Sequence, residues 1–262
     1  MRFDPDLLVR GDDVERAALA LFGAPLRERP ALGHVAAVWS PDDHRRHVLR
    51  IDPRTPYSDT DRFVLGLSRA RADAIVTTGA ILRAEPTLRF DLRGPGAGAL
   101  MRWRVDVHEL GPPTVLILTH GTLDFDHPAL KGPARVVLYV PDDRVDFVRQ
   151  QLRSFRWITV CGDATPTLGR ALDWLRRERA CTSISIEAGP STASPLYEGD
   201  GAVDELLLSR WTGPELAADL IAGDLPDDTT LHRTMERVHT SPVDDDGWVF
   251  ERWIRRERGA ES

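Results

Sequence analysis

The segment Ile184 to Thr192, ISIEAGPST, constrains the fold of this chain more than any other. An apolar run ending in a carboxylate, a Gly-Pro turn and small hydroxyl residues read as a buried strand feeding a helix. A second apolar run, Val203 to Arg210, follows closely. Such a junction is a candidate ligand site. Gly189 lets a ligand approach the backbone, and the N–H groups that open a helix favour a phosphate. Glu187 stands where an acid or a polar anchor is useful.

Strand-like and helical segments alternate through the rest of the chain. Strands are expected at Gly33 to Trp39, Asp73 to Thr77, Thr114 to Thr119, Ala134 to Val140 and Trp157 to Cys161. Helices are expected at Asp12 to Phe22, Asp59 to Arg71 with Ser58 as N-cap, Thr167 to Arg179, and Ser191 to Glu198. The stretch Arg89 to Pro113, rich in Gly, Arg and Pro, reads as a long loop. Leu231 to His239 and Trp248 to Trp253 read as strands of a hairpin closed by Asp244-Asp245-Asp246-Gly247. The pattern predicts an α/β fold with a mixed sheet covered on both faces and an antiparallel C-terminal hairpin. Residues 1–32 read as an N-terminal extension packed on a single main domain, residues 33–262.

With 262 residues and 42% apolar content the chain can build a substantial core. A net charge of −7 provides no overall basic field to draw it onto nucleic acid or an anionic membrane. Lys131 is the only lysine, a bias that points to base composition rather than to a binding surface. Cys161 and Cys181 lie in or beside apolar runs, so a reduced, cytoplasmic setting is expected instead of a disulfide framework. The charged N-terminus does not read as a signal peptide, and no apolar run has the length of a membrane span.

Two blocks carry a family resemblance. One runs from Ser68 to Leu88, SRARADAIVTTGAILRAEPTL; the other is Glu187-Ala188-Gly189-Pro190 with Val203-Asp204-Glu205-Leu206. In order and spacing they resemble the reductase domain of riboflavin-biosynthesis deaminase/reductases, over residues 33–255. That resemblance implies a dihydrofolate-reductase-like fold, a three-layer αβα domain with a mostly parallel central sheet. It also implies NADPH as cofactor, hydride transfer to an imine-like carbon of a pyrimidine ribosylamine phosphate or related heterocycle, and a homodimer.

By the same resemblance Glu187 contacts the substrate and serves in catalysis, and Gly189, Pro190, Ser191 and Thr192 form one cofactor turn. Thr77, Thr78, Gly79 and Ala80 form a second cofactor loop, and Thr119 holds the adenosine end. Arg69 and Leu88 face the substrate. Asp42, in Ser40-Pro41-Asp42-Asp43, supplies a second catalytic polar group. Each has a plainer reading beside it: Glu187 as a solvent-exposed strand end, Ser191 and Thr192 as helix caps, Thr119 as a strand-end threonine, Arg69 as a solvated helix residue, Asp42 as a turn residue.

The chain departs from the family pattern where Ala80 replaces a hydroxyl, Ala84 an acid and Asp91 a phosphate-binding arginine. Thr78 and Glu85 are the neighbours able to replace the first two, Arg89 and Arg93 the third. Two other functions stay open: a catalytically silent protein that binds a nucleotide-like ligand or a partner, and dihydrofolate reduction. The His-x-Glu and Pro-Cys-x-x-Cys zinc pattern of deaminases does not occur. No metal site is expected at Asp42, Asp43, His44 and His47, where Arg45 and Arg46 intervene. Gly94-Pro95-Gly96-Ala97-Gly98 reads as flexible loop, and no Gly-x-Ser-x-Gly elbow is present.

Overall fold

The computed structural model describes residues 4–40, 45–132, 134–199 and 201–256. In chain order the elements are α1 (Gly11–Phe22), β1 (Leu32–Trp39), β2 (His47–Leu49), α2 (Asp59–Arg71), β3 (Ala74–Thr78), α3 (Gly79–Ala84) and α4 (Ala97–His108). Then come β4 (Thr114–Leu118), β5 (Arg135–Pro141), α5 (Val145–Gln151), β6 (Ile158–Asp163), α6 (Leu168–Arg179), β7 (Ile184–Ile186) and α7 (Pro190–Ala193). The chain closes with β8 (Glu205–Trp211), β9 (Ile221–Asp224), α8 (Asp228–Thr234), β10 (Met235–Thr240) and β11 (Trp248–Arg255).

Among the described residues the strands form one sheet in the order β10-β11-β8-β1-β7-β3-β4-β5-β6, with β2 beside β1 and β9 beside β2. From β8 to β6 neighbouring strands are parallel, whereas β10, β11 and β8 pair antiparallel, as do β1, β2 and β9.

The two-residue period of each strand divides its side chains between two layers. Leu32, Ala74, Val76, Ile184 and Ile186 face α6, which contributes Leu168, Ala171, Leu172 and Leu175. Ile75, Val115 and Ile117 point to the opposite face, and Ser185 reaches Ser68 of α2 there, the hydroxyl oxygens 2.9 Å apart. Helices α1, α2 and α4 cover that second face, with Phe63, Leu67, Trp103, Trp248 and Phe250 in one apolar cluster. Helix α1 belongs to the same cluster through Val14, Ala18 and Phe22.

Several expectations are corrected. The expected loop from Arg89 to Pro113 contains α4, and Gly96, in the left-handed conformation at φ 70°, stands as its N-cap. The Gly94 to Gly98 stretch therefore opens a helix. Residues Leu231 to Thr234 end α8 instead of starting a strand, and the helix expected from Ser191 to Glu198 is the short α7 followed by a 3-10 turn, Ser194–Tyr197. Helix α5 and the short strands β2 and β9 have no counterpart in the expectations from sequence.

Helix α4 also terminates α2. Arg104 is buried, and its Nη1 donates to the carbonyls of Arg69 at 2.9 Å, Ala70 at 3.0 Å and Ala72 at 2.7 Å. These are among the carbonyls a helix C-terminus leaves without intrahelical partners. Burial lowers the Arg104 pKa to about 10, so the side chain stays protonated at neutral pH. The last turn of α2, which carries Arg69, is thereby fixed.

Candidate functional site

Strand β7 stops at Ile186, while β1 and β3 on either side of it run on to Trp39 and Thr78. Farther along, β2 takes the lane that β7 leaves, pairing Val48 with Val38. The gap is a cleft lobe of about 480 Å³, with Val35, Ala37, Thr77, Glu187 and Gly189 among its walls and Val48, Ala222 and Leu225 closing it. From β3 the chain steps outward to β6, and after β7 it continues on the other side of β1. A crevice at such a reversal of strand order is where open α/β sheets bind ligands.

Alternation decides what faces this cleft. Glu187 is two residues past Ser185, so it points to the α2 face, and α2 presents Arg69 next to Ser68. Arg69 Nε donates to Glu187 Oε1 at 2.7 Å and Nη2 donates to Oε2 at 2.6 Å. Their side chains are only 8% and 10% exposed, a buried two-pronged ion pair. Arg69 also lies over the ring of Phe90, 5.2 Å from its centroid. Burial opposes the Arg69 charge, but Glu187 outweighs it and the pKa is raised. The two residues expected to contact substrate are therefore brought together, and each is the other's partner.

Glu85 lines the same cleft at the end of α3. Its carboxyl pKa is pushed up to about 7, first by burial, then by the charge of Glu187, with Arg69 acting in the opposite direction. Asp61, at the start of α2, also faces the cleft, and burial raises its pKa against the opposing effects of Ser209 and Arg62. His34 sits on the cleft floor, its Nδ1 2.6 Å from the Tyr197 hydroxyl, and burial lowers its pKa to about 4. Composition and spacing do not reveal Asp61 or His34, whereas Thr77 opens the cofactor loop that the family resemblance marks. The alternation along β1 was the available signal for His34.

The expected cofactor residues divide. Gly189 and Pro190 line the cleft, and a Cβ built on Gly189 meets no atom within 4 Å. Gly189 has φ −61°, so neither backbone nor packing asks for glycine, and the space above it lies open to a ligand. Pro190 is held from behind by β9, where a Cβ on Gly223 would come within 2.8 Å of Pro190 Cγ. The N–H groups of Thr192 and Ala193 donate to Gly189 O at 3.0 and 3.1 Å. Those bonds close the turn and engage the Thr192 N–H, and neither Ser191 nor Thr192 is among the residues lining the cleft.

Thr78 N-caps α3, its Oγ1 accepting from Ile81 N–H at 3.3 Å, and Ala80 is exposed. Gly79 packs so tightly that a Cβ would stand 2.3 Å from Thr119 Oγ1. Thr119 lines a smaller neighbouring cavity of about 130 Å³ with His120, Arg144 and Phe147. Two buried hydroxyls on this side, Thr77 and Thr119, have no hydrogen-bond partner among the described residues. Orphaned buried donors beside an open glycine turn fit a polar ligand laid along the ends of β3 and β4.

A second lobe of about 500 Å³ adjoins the first through Arg69, Glu85 and Leu88. It is rich in arginine: Arg50, Arg62, Arg89 and Arg93 line it. Asp91 lies among them, paired with Arg93 and 3.8 Å from Arg89 Nε. The arginines proposed to offset Asp91 are thus beside it, with part of their charge already engaged. Asp42, with Asp43 and His44, lies outside the described residues.

The fold recurs in solved structures. A pyrimidine reductase-like protein of Corynebacterium diphtheriae superposes with a TM-score of 0.65 at 20% identity, over 95% of this chain and 100% of its own. The chain has the fold of the riboflavin-pathway reductases. RibD of Acinetobacter baumannii matches with a TM-score of 0.64 at 18% identity over 87% of this chain, and the chain spans 58% of the length of that RibD. The riboflavin biosynthesis reductase Rib7 of Saccharomyces cerevisiae matches with a TM-score of 0.56 at 14% identity over 94% of this chain and 100% of its own. No family model matches the sequence, and no curated protein sequence does. The riboflavin-reductase fold accounts for the mixed, mostly parallel sheet, the helices on both faces and the antiparallel C-terminal hairpin.

Proposed function

We propose that this chain is an NADPH-dependent reductase that reduces an imine-like carbon of a pyrimidine ribosylamine phosphate or a related heterocycle. The observation that carries the reading is the notch past β7, where the open Gly189-Pro190 turn faces Glu187, Arg69 and Glu85 across one cleft. NADPH when bound supplies a hydride. Gly189, Pro190 and the Thr77 hydroxyl would flank its nicotinamide, and Thr119 its adenosine end. Leu88 offers an apolar surface to a heterocycle where the lobes meet, and Arg89 and Arg93 suit a phosphate through paired charge-assisted bonds. Apolar Val35, Ala37 and Leu225 line the cleft and make its wall beside the reacting centre less polar.

A homodimer in the cytoplasm is part of this proposal, checked by sedimentation and fractionation. Among the described residues no helix is long and apolar enough to cross a membrane. One observation favours a second reading, a silent binding protein: Glu187 and Arg69 saturate each other, and Ala80 and Ala84 bring no polar group. Titration of NADPH followed by fluorescence, then absorbance during addition of 5-amino-6-(5-phosphoribosylamino)uracil, separates the two. Binding with substrate-dependent oxidation supports the reductase; binding without oxidation supports the silent protein; no NADPH binding removes the enzyme assignment.

A further inference from the structure

We propose that Glu85 is the proton donor of this cleft, protonating the nitrogen of the reduced C=N bond while the Arg69–Glu187 pair positions and balances it. The proposal rests on the reductase reading. It starts from a contrast within one residue, whose backbone is pinned and whose carboxyl is free. Glu85 N–H donates to Ile81 O at 2.9 Å, and its carbonyl accepts from Leu88 N–H at 3.0 Å. The same carbonyl lies 2.9 Å from Nε2 of the buried His127. His127 Nδ1 accepts the Ala129 N–H at 3.1 Å, so the ring proton sits on Nε2 and is donated to Glu85. Among the described residues the Glu85 carboxyl has no hydrogen-bond partner, and it lines both lobes of the cleft.

Of the other described carboxylates lining the two lobes, three are paired with arginines and one stands apart. Glu187, past β7, gives both oxygens to Arg69 of α2. Asp91, in the segment after α3, pairs with Arg93 and lies near Arg89. Asp52, after β2, accepts from Arg54, and Arg50 beside it donates to Ile221 O. Asp61, at the far end of α2, lies more than one helical turn from Arg69. Among the described residues Glu85 alone combines an anchored backbone with an unengaged acid next to a fixed guanidinium.

Preorganised geometry and a free carboxyl are what proton transfer requires. A carboxyl with a pKa near 7 can also give up its proton and regain it at neutral pH. The step balances. The imine carbon gains a hydride from NADPH, which becomes NADP⁺; the π pair of C=N moves onto nitrogen; nitrogen takes the proton from Glu85. The products are the amine and a Glu85 carboxylate, which Arg69 stabilises until water in the open cleft returns a proton.

The test uses the full chain and the variants Glu85→Gln and Glu85→Asp. Infrared difference titration without cofactor reads the carboxyl directly: a band titrating near pH 7 is expected in the wild type and absent in Glu85→Gln. With NADPH and 5-amino-6-(5-phosphoribosylamino)uracil, wild-type kcat should fall as pH rises above about 7. Glu85→Gln should lose about 10²-fold or more in kcat with little change in KM and no such pH limb. Glu85→Asp, which keeps the acid, should recover part of the loss, and it serves in place of the amide if that variant does not fold. Wild-type turnover with an unchanged Glu85→Gln rate, or no carboxyl titrating near neutrality, overturns the proposal alone. A wild type that never oxidises NADPH overturns the reductase reading and the proposal with it.

Discussion

The Arg69–Glu187 pair makes a quantitative claim about solution behaviour. Arg69→Met and Glu187→Gln each remove one charge and leave the other in a site where the side chains are 8% and 10% exposed. An uncompensated buried charge costs about 3–5 kcal/mol. In a domain of this size each kcal/mol moves Tm by about 2–4 °C, so either single variant should melt roughly 6–20 °C lower. The double variant removes both charges and should cost clearly less than the sum, with a coupling of about 1–3 kcal/mol. Arg69→Met should be the worse single change, because it also leaves Glu85 and Glu187 facing each other without their shared cation. Urea denaturation of the four proteins at one pH measures the cycle. Additive costs, or single costs below about 1 kcal/mol, would mean that the side chains are apart in solution and each free for a ligand.

Three further outcomes follow from the same geometry. Glu85 has a folded pKa of about 7 against an ordinary 4.5, so the folded state holds its proton more tightly. Its contribution is complete below the unfolded value and lost as pH rises through about 7, at most about 3 kcal/mol. Unfolding curves at intervals from pH 5 to 8 should show this loss in the wild type and not in Glu85→Gln; parallel curves would contradict it. Gly189→Val places methyls in open cleft space, so stability should change by no more than about 0.5 kcal/mol while NADPH binding is lost, as melting and calorimetry would show. Gly79→Ala drives a Cβ to within 2.3 Å of Thr119 Oγ1 and should lower stability by about 1–3 kcal/mol; an unchanged melting curve would show that the contact relaxes freely.

Much of the scaffold was readable because its physics is local. Apolar runs marked the central strands, Ser58 marked the helix start it caps, and the leucine spacing after Thr167 marked another helix. Helix α4 was hidden because Gly and Pro crowd its approach and because Met101 and Val105 are each 54% exposed while Arg104 is buried. Its polarity pattern runs against its burial. Strands β2 and β9 are too short to leave a periodic signal, and they pair with each other from far apart in the chain. The site was legible as separate residues and not as an arrangement. Arg69 and Glu187 stand 118 positions apart, and only the short β7 beside a terminated α2 makes them partners. Glu85 acquires its character from burial and from those two charges, which no spacing in the sequence encodes.

Whether the notch past β7 is a dinucleotide cleft can be read from a crystal structure of the chain grown with NADPH. The nicotinamide is expected in that notch against Gly189 and Pro190, within reach of Glu85, and the adenosine end toward Thr119. A dinucleotide bound elsewhere on the chain, or a notch filled only by water at saturating NADPH, would contradict it.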